Sequence, residues 1–336
     1  MKDVALVLVV LAGCVMASAV LAAALVALSA RRSGRSIQAE ALIAIVLPLL
    51  NRARKTSTPK GRLAAIAANR KAGEALPPAA VSRRFRFHQQ DVDGGRVFGL
   101  GQKGGRGDLH ILYLHGGGFE LHLLAQHWTI IAGLADRLPA DVTIPLYPLV
   151  PEHDHKPAYA LVERVYHDLI SRVGAERLVI AGDSAGGGLA LSFCQRLQAR
   201  GGQMPAAMVL FSPWGDLTVS DPAQAEIAKR DLLLSISRTR ASGKQWAGAL
   251  APGDPRVNPL SASMEGLPST LILTGTDDIL NADAHRLMAS ARAAGADFTL
   301  SEYPGMPHSW PVVPVPEGRA ALDEAAAFIE RHVGGT

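Results

Sequence analysis

Leu178-Val179-Ile180-Ala181-Gly182-Asp183-Ser184-Ala185-Gly186-Gly187 is an apolar run that stops at a turn of small residues with one serine at its centre. The run predicts a buried strand, and the residues from Gly187 to Arg200 predict a helix. Gly182-Asp183-Ser184-Ala185-Gly186 fits G-x-S-x-G, in which the serine sits on a strained strand-to-helix turn and its hydroxyl projects above a sheet. Glycines flank the serine because any side chain there would clash. The helix points its N-terminal amides at the reacting centre, where negative charge develops during attack on an ester carbonyl.

Working outward, strands and helices alternate. Leu109-Leu114, Val142-Tyr147, Leu178-Gly182, Ala207-Phe211, Thr270-Leu273 and Phe298-Tyr303 read as strands. Helices are expected before Leu138, over Ala158-Val173, after Ser184, over Asp283-Ala294 and over Gly318-His332. This alternation implies an α/β class with a mainly parallel central sheet flanked by helices. Upstream, Arg84 to His88 and Arg96 to Leu100 pair as a hairpin about Asp93-Gly94-Gly95. Gln102 to Gly107 is Gly-rich but lacks the Lys-Ser/Thr ending of a phosphate loop, and reads as a surface connection. Between Asp221 and Pro255 the alternation lapses into polar, Ala-rich sequence, read as a helical excursion above the sheet.

The chain of 336 residues holds one large domain with an appendage, and its two cysteines exclude a disulfide framework. Charge is unevenly spread. Arg31 to Arg106 carries 16 basic and 4 acidic side chains, a net +12, against 17 basic and 25 acidic from Gly107 to Thr336. No charge interrupts Val4 to Ala30, which exceeds the roughly 20 apolar residues of a spanning helix. The expectation is an N-terminal transmembrane helix, uncleaved in preference to a signal peptide or to lipidation at Leu11-Ala12-Gly13-Cys14. Arg31, Arg32 and Arg35 outweigh Lys2, so the positive-inside rule predicts a cytoplasmic catalytic domain, with membrane lipids as a partner and nucleic acid excluded.

Ile37 to Leu50 is apolar but too short to span, is interrupted by Pro48, and precedes Arg52, Arg54 and Lys55. It reads equally as an interfacial helix or as one covering an active site. Leu63 to Ala75 reads as a further amphipathic helix. The expected organisation is an anchor with its basic flank over 1–35, amphipathic helices over 36–80 that are candidates for a lid, and a main α/β domain over 81–336 with an insertion near 221–255.

Attack by a serine needs a base, a group that orients the base, and donors for the oxyanion. Asp277 and Asp278 follow the strand Leu271-Ile272-Leu273, whose C-terminal end delivers side chains to the sheet edge that carries Ser184. His308 follows the next strand, in a loop with Gly305, Met306 and Pro307. His115-Gly116-Gly117-Gly118 follows the strand Ile111-Leu114, as an oxyanion loop would. The donors are read as the amides of Gly117, Gly118 and Ala185; Gly116 and Asp183 support the loop, and His115 shapes it. His153-Asp154-His155 resembles a metal pair but has no third ligand at a recognisable spacing. Trp214, Trp246 and Trp310 read either as pocket lining or as packing.

With these motifs together, the chain resembles the hormone-sensitive-lipase type of α/β-hydrolase, the HGGG esterases. The residues that carry the likeness are His115-Gly116-Gly117-Gly118-Phe119, Tyr147-Pro148-Leu149-Val150-Pro151-Glu152-His153, Gly182-Asp183-Ser184-Ala185-Gly186-Gly187, Asp278-Ile279-Leu280 and Gly305-Met306-Pro307-His308. The resemblance implies the α/β-hydrolase fold with a helical cap and a triad of Ser184, His308 and Asp278, with Asp277 the runner-up acid. It implies a serine carboxylesterase acting on short- to medium-acyl esters, lipid-like or steroid-like acetyl esters among them, without metal or organic cofactor. Two departures stand out. Glu120-Leu121-His122 replaces the small residues of many relatives, and Tyr147-Pro148-Leu149 replaces the commoner Tyr-Arg-Leu. An amidase, deacetylase or lactonase with the same triad stays open. A non-catalytic receptor on this fold is disfavoured, because such receptors have lost the histidine that His308 supplies here.

Overall fold

The computed structural model describes residues 2–48, 59–92, 94–105, 107 and 109–333, with the side chains of 2–15, 17, 19, 46 and 59 left aside. Helices α1 (Lys2–Ser33), α2 (Ile37–Ala41), α3 (Pro59–Ala72) and α4 (Ala79–Arg84) lead into strands β1 (Phe85–Val92), β2 (Gly95–Gln102) and β3 (Leu109–Leu114). Then come α5 (His127–Arg137), β4 (Ala140–Pro145), α6 (His155–Val173), β5 (Leu178–Asp183), α7 (Ala185–Gln198) and β6 (Ala207–Phe211). Helices α8 (Ala223–Ile227) and α9 (Ile236–Ala247) occupy the excursion, before β7 (Ser269–Gly275), α10 (Asn281–Ala293), β8 (Phe298–Tyr303) and α11 (Pro316–His332).

The strands form one eight-stranded sheet in the order β1-β2-β4-β3-β5-β6-β7-β8. Among the described residues only the β1–β2 and β2–β4 pairings are antiparallel. Strand β5 is buried along its whole length, because alternate side chains enter two cores. Leu178 and Ile180 pack with α6, α7 and α10, while Val179 and Ala181 pack with α5 and α11 on the opposite face. Helix α6 starts where the Asp154 carboxylate accepts from the Lys156 amide at 3.1 Å, and ends at Gly174, whose φ of 81° suits glycine. The sequence His153-Asp154-His155 is therefore a helix start. The ring of His155 lies 3.1 Å from the Trp246 carbonyl.

One expectation is overturned. Among the described residues no helix is long and apolar enough to cross a membrane, which corrects the single-pass anchor, its lipid partner and the cytoplasmic placement derived from it. Among the described side chains of α1, Met16, Val20, Leu21, Leu25 and Leu28 are exposed. Beyond them Ala30 is buried, and Ser29 and Ser33 hydrogen-bond to Glu40. Arg35 pairs with Glu40 at 3.0 Å and with Asp277 at 3.4 Å, so the segment turns onto the catalytic body. The side chains of the Leu11–Cys14 box, the basic residues Arg52, Arg54 and Lys55, and the turn residue Asp93 lie outside the described residues.

Candidate active site

Ser184 stands between β5 and α7 with φ 54° and ψ −123°, a conformation an L-residue holds only under local strain. Packing enforces it. A Cβ on Gly186 would lie 2.0 Å from the Leu114 carbonyl oxygen, so only glycine lets the helix start pass this close to β3. The Ser184 amide donates to the Phe211 carbonyl and its own carbonyl accepts from Trp214, which ties the turn to the end of β6.

His308 Nε2 lies 2.8 Å from Ser184 Oγ, and its Nδ1 lies 2.8 Å from Asp278 Oδ2. The Asp278 side chain is fully buried, and its other oxygen accepts from the Leu280 amide at 2.9 Å. One carboxylate thus both caps the following turn and meets the histidine. Asp277 faces the other way, toward Arg230 at 2.9 Å and Arg35 at 3.4 Å. Burial opposes an imidazolium at His308, but the Asp278 carboxylate beside it outweighs burial and raises the pKa, with Asp231 and Asp183 adding.

The glycine loop after β3 is locked to the same turn. Asp183 Oδ1 accepts from the Tyr113 hydroxyl at 2.7 Å and from the Gly116 amide at 2.9 Å, and Oδ2 lies 3.5 Å from His127 Nε2. Burial opposes the charge on Asp183, yet His127 and these two donors hold its pKa at about 2. His127 Nδ1 accepts from the Leu124 amide, so its proton sits on Nε2, facing Asp183. Gly117 has φ 119° and a Cβ there would come within 2.9 Å of the Leu121 carbonyl oxygen. Among the described residues the Gly117 and Gly118 amides donate to no protein acceptor, and Ala185 opens α7, where the first amides have no intrahelical partner. His115 stacks on Tyr147 with ring centroids 4.5 Å apart and donates from Nδ1 to the Gly116 carbonyl; burial lowers its pKa to about 4. The Tyr147 hydroxyl in turn donates to the His115 carbonyl.

Ser184 and His308 open on a cavity of about 390 Å³ lined by Gly117, Gly118, Leu121, Leu124, Trp214 and Trp310, and by Leu42 and Leu47 from the N-terminal segment. Larger hollows of about 730 and 800 Å³ lie elsewhere and contain none of the three residues. Trp246 does not line the cavity; it stacks on Phe119 at 3.8 Å. Several neighbours carried no signal in the sequence. Asp231 Oδ2 accepts from the Ile279 amide at 2.9 Å, Ser309 Oγ lies 3.3 Å from His308 Nε2, and Ser212 Oγ accepts from the Ser309 amide. The other oxygen of Asp231 accepts from the Leu233 and Leu234 amides.

A sequence profile of the alpha/beta hydrolase fold family matches residues 111–312, from β3 to just past His308. The chain belongs to that family. An esterase of Acinetobacter venetianus is 35% identical over 222 residues, covering 65% of this chain and 73% of the relative. An acetyl-hydrolase of Streptomyces hygroscopicus is 34% identical over 229 residues, covering 67% and 76%. Among solved structures, an esterase of the bacterial hormone-sensitive lipase family superposes with a TM-score of 0.75 at 25% identity, covering 89% of this chain and 99% of that one. The protein is an α/β-hydrolase esterase of the hormone-sensitive-lipase type, a serine carboxylic ester hydrolase.

Proposed function

We propose that Ser184 is the nucleophile of a short- to medium-acyl ester hydrolase, with His308 as general base and acid and Asp278 as the group that orients it. The hydrogen-bonded line from Ser184 Oγ through both ring nitrogens of His308 to Asp278, open to the cavity, carries this reading. A carboxylate only accepts, so the His308 proton sits on Nδ1 and leaves Nε2 free to take the serine proton. Ser184 Oγ then bonds to the carbonyl carbon and the carbonyl π-pair moves to oxygen. The amides of Gly117, Gly118 and Ala185 receive that oxyanion, each contributing about 3 kcal/mol in sites of this kind. The imidazolium returns its proton to the departing alkoxide, and water, activated by the same nitrogen, releases the acid from the acyl-enzyme.

The cavity is small enough to favour compact acyl groups, and its lining is largely apolar. In this reading the segment 36–80 and the excursion near 221–255 form a cap, supported by Leu42, Leu47, Leu233 and Leu234 in the cavity wall. The test is hydrolysis of a graded series of p-nitrophenyl esters by the parent and by Ser184→Ala. Loss of about 10⁶-fold in kcat is expected for the variant, with an optimum at short or medium acyl length. Retained turnover in a pure, folded Ser184→Ala sample refutes the assignment.

A further inference from the structure

The departure at Glu120 has a counterpart in the cavity wall. Glu120 follows the glycine loop and is 1% exposed. Its Oε1 accepts from Arg62 of α3 and from the Ser242 hydroxyl of α9. Arg62 also donates to Ser242 Oγ at 3.2 Å and to Gln245 Oε1 at 3.0 Å, so this guanidinium is engaged. Arg238, one turn before Ser242 on α9, lies 3.8 Å from Glu120 Oε2 and hydrogen-bonds to no described residue. It lines the same cavity as Ser184 and His308. Two guanidinium groups therefore share one carboxylate, leaving a net positive charge. The other carboxylate in the wall, Asp183, is consumed by Tyr113, Gly116 and His127.

Burial and the neighbouring Arg238 lower the pKa of Arg62, and burial lowers that of Arg238. An arginine does not discharge near neutrality. The surplus charge is an electrostatic cost that a bound anion would offset.

We propose that Arg238, backed by the Arg62–Glu120 pair, is an anion subsite of the substrate cavity, so that the preferred esters carry a carboxylate on the arm that reaches α9. A carboxylate there can take the planar fork of the guanidinium as two parallel hydrogen bonds, which a neutral amide or methyl ester cannot match. The proposal rests on the assignment of ester hydrolysis to Ser184.

The test compares kcat/KM for matched pairs in which only the charge differs. On the alcohol arm these are para-acetoxybenzoate and para-acetoxybenzamide. On the acyl arm they are p-nitrophenyl hydrogen adipate and p-nitrophenyl methyl adipate, each corrected for its rate without enzyme. In the parent, the anionic member is preferred in at least one pair. In Arg238→Gln that anionic-to-neutral ratio falls about tenfold or more, and in Arg238→Lys, which keeps a point charge, it falls less. A parent ratio at or below one in both pairs overturns the proposal without recourse to any variant, as does a ratio unchanged in Arg238→Gln. Ser184→Ala separates the two levels. If it is inert while the ratio is flat, the subsite alone falls; if it turns over esters like the parent, the catalytic assignment falls and takes the subsite with it.

Discussion

Replacing Asp183 with Asn tests whether the nucleophile turn and the glycine loop are held together by one buried charge. The native carboxylate meets three donors, from Tyr113, Gly116 and His127. An amide offers one acceptor and two hydrogens. If its oxygen keeps Tyr113 and Gly116, its NH₂ confronts the proton on His127 Nε2; if it turns over, the Gly116 amide loses its acceptor. A buried donor left without a partner costs about 1–3 kcal/mol. The depressed pKa points to a similar size. The folded pKa of about 2, against an ordinary value of 3.8, corresponds to about 2 kcal/mol of stabilisation at neutral pH. Because the folded value is depressed, this contribution is fully present above about pH 4 and is lost as pH falls through about 2. Asp183→Asn is therefore expected to lose about 2–3 kcal/mol in denaturant unfolding at pH 7, a thermal midpoint drop of about 4 °C or more. The gap from the parent should narrow as the pH falls from about 4 toward 2. Ester kcat should fall as well, because the Gly116 anchor of the proposed oxyanion donors is loosened. Equal midpoints and kcat/KM within about twofold of the parent at pH 7 would refute the reasoning.

Three further outcomes are expected. Since the proposed mechanism needs neutral His308 and Asp278 raises its pKa, the rising limb of the kcat/KM–pH profile should lie above about 6.5, the ordinary histidine value. Asp278→Asn should move that limb to lower pH and cut kcat by about 10⁴-fold; an unmoved limb argues against the assignment. Gly186→Ala puts a Cβ 2.0 Å from the Leu114 carbonyl oxygen, where two backbone segments would have to part, and should yield insoluble or unfolded chain by circular dichroism. Asp277→Ala leaves Arg35 and Arg230 without their shared carboxylate, so limited proteolysis within 36–48 should quicken and KM should rise severalfold, while global stability falls by about 1 kcal/mol.

The sheet was legible because its strands are short apolar runs bounded by turn residues. Leu109-Leu114, Ala207-Phe211 and Phe298-Tyr303 coincide with β3, β6 and β8. The meeting of Ser184, Asp278 and His308 was legible too, since each follows a strand and a parallel sheet brings those strand ends to one edge. The choice between Asp277 and Asp278 was not. Neighbouring residues in a turn point apart, and only the fold shows one meeting His308 and the other meeting two arginines. Hydropathy misled at the N-terminus, where an uncharged run reads as a span whatever its end packs against. Ser29, Ser33 and Arg35 reveal their docking only once Glu40 is placed beside them. The pairing of Glu120 with Arg62 and Arg238 was equally hidden, for the three lie on separate elements whose meeting no local pattern encodes.

The turn 277–279 joins binding to chemistry. Its first residue holds Arg35 from the N-terminal segment and Arg230 from the excursion; its second meets His308; the amide of its third donates to Asp231, between α8 and α9 of the excursion. The two segments that contribute leucines to the cavity wall are thus anchored on the turn that carries Asp278, the proposed triad acid. The anchoring also has an electrostatic consequence. Asp231 adds to the field that raises the pKa of His308, so the negative potential there is built partly by the excursion itself. In the proposed mechanism that potential acts on the imidazolium formed when Ser184 gives up its proton, and it strengthens as the wall excludes water and lowers the local dielectric. A wall displaced from this turn would withdraw Asp231 from His308 and admit solvent together. Substrate contacts that keep the wall seated therefore stabilise the charged state of the reaction more than the neutral one, which is the differential a catalyst requires.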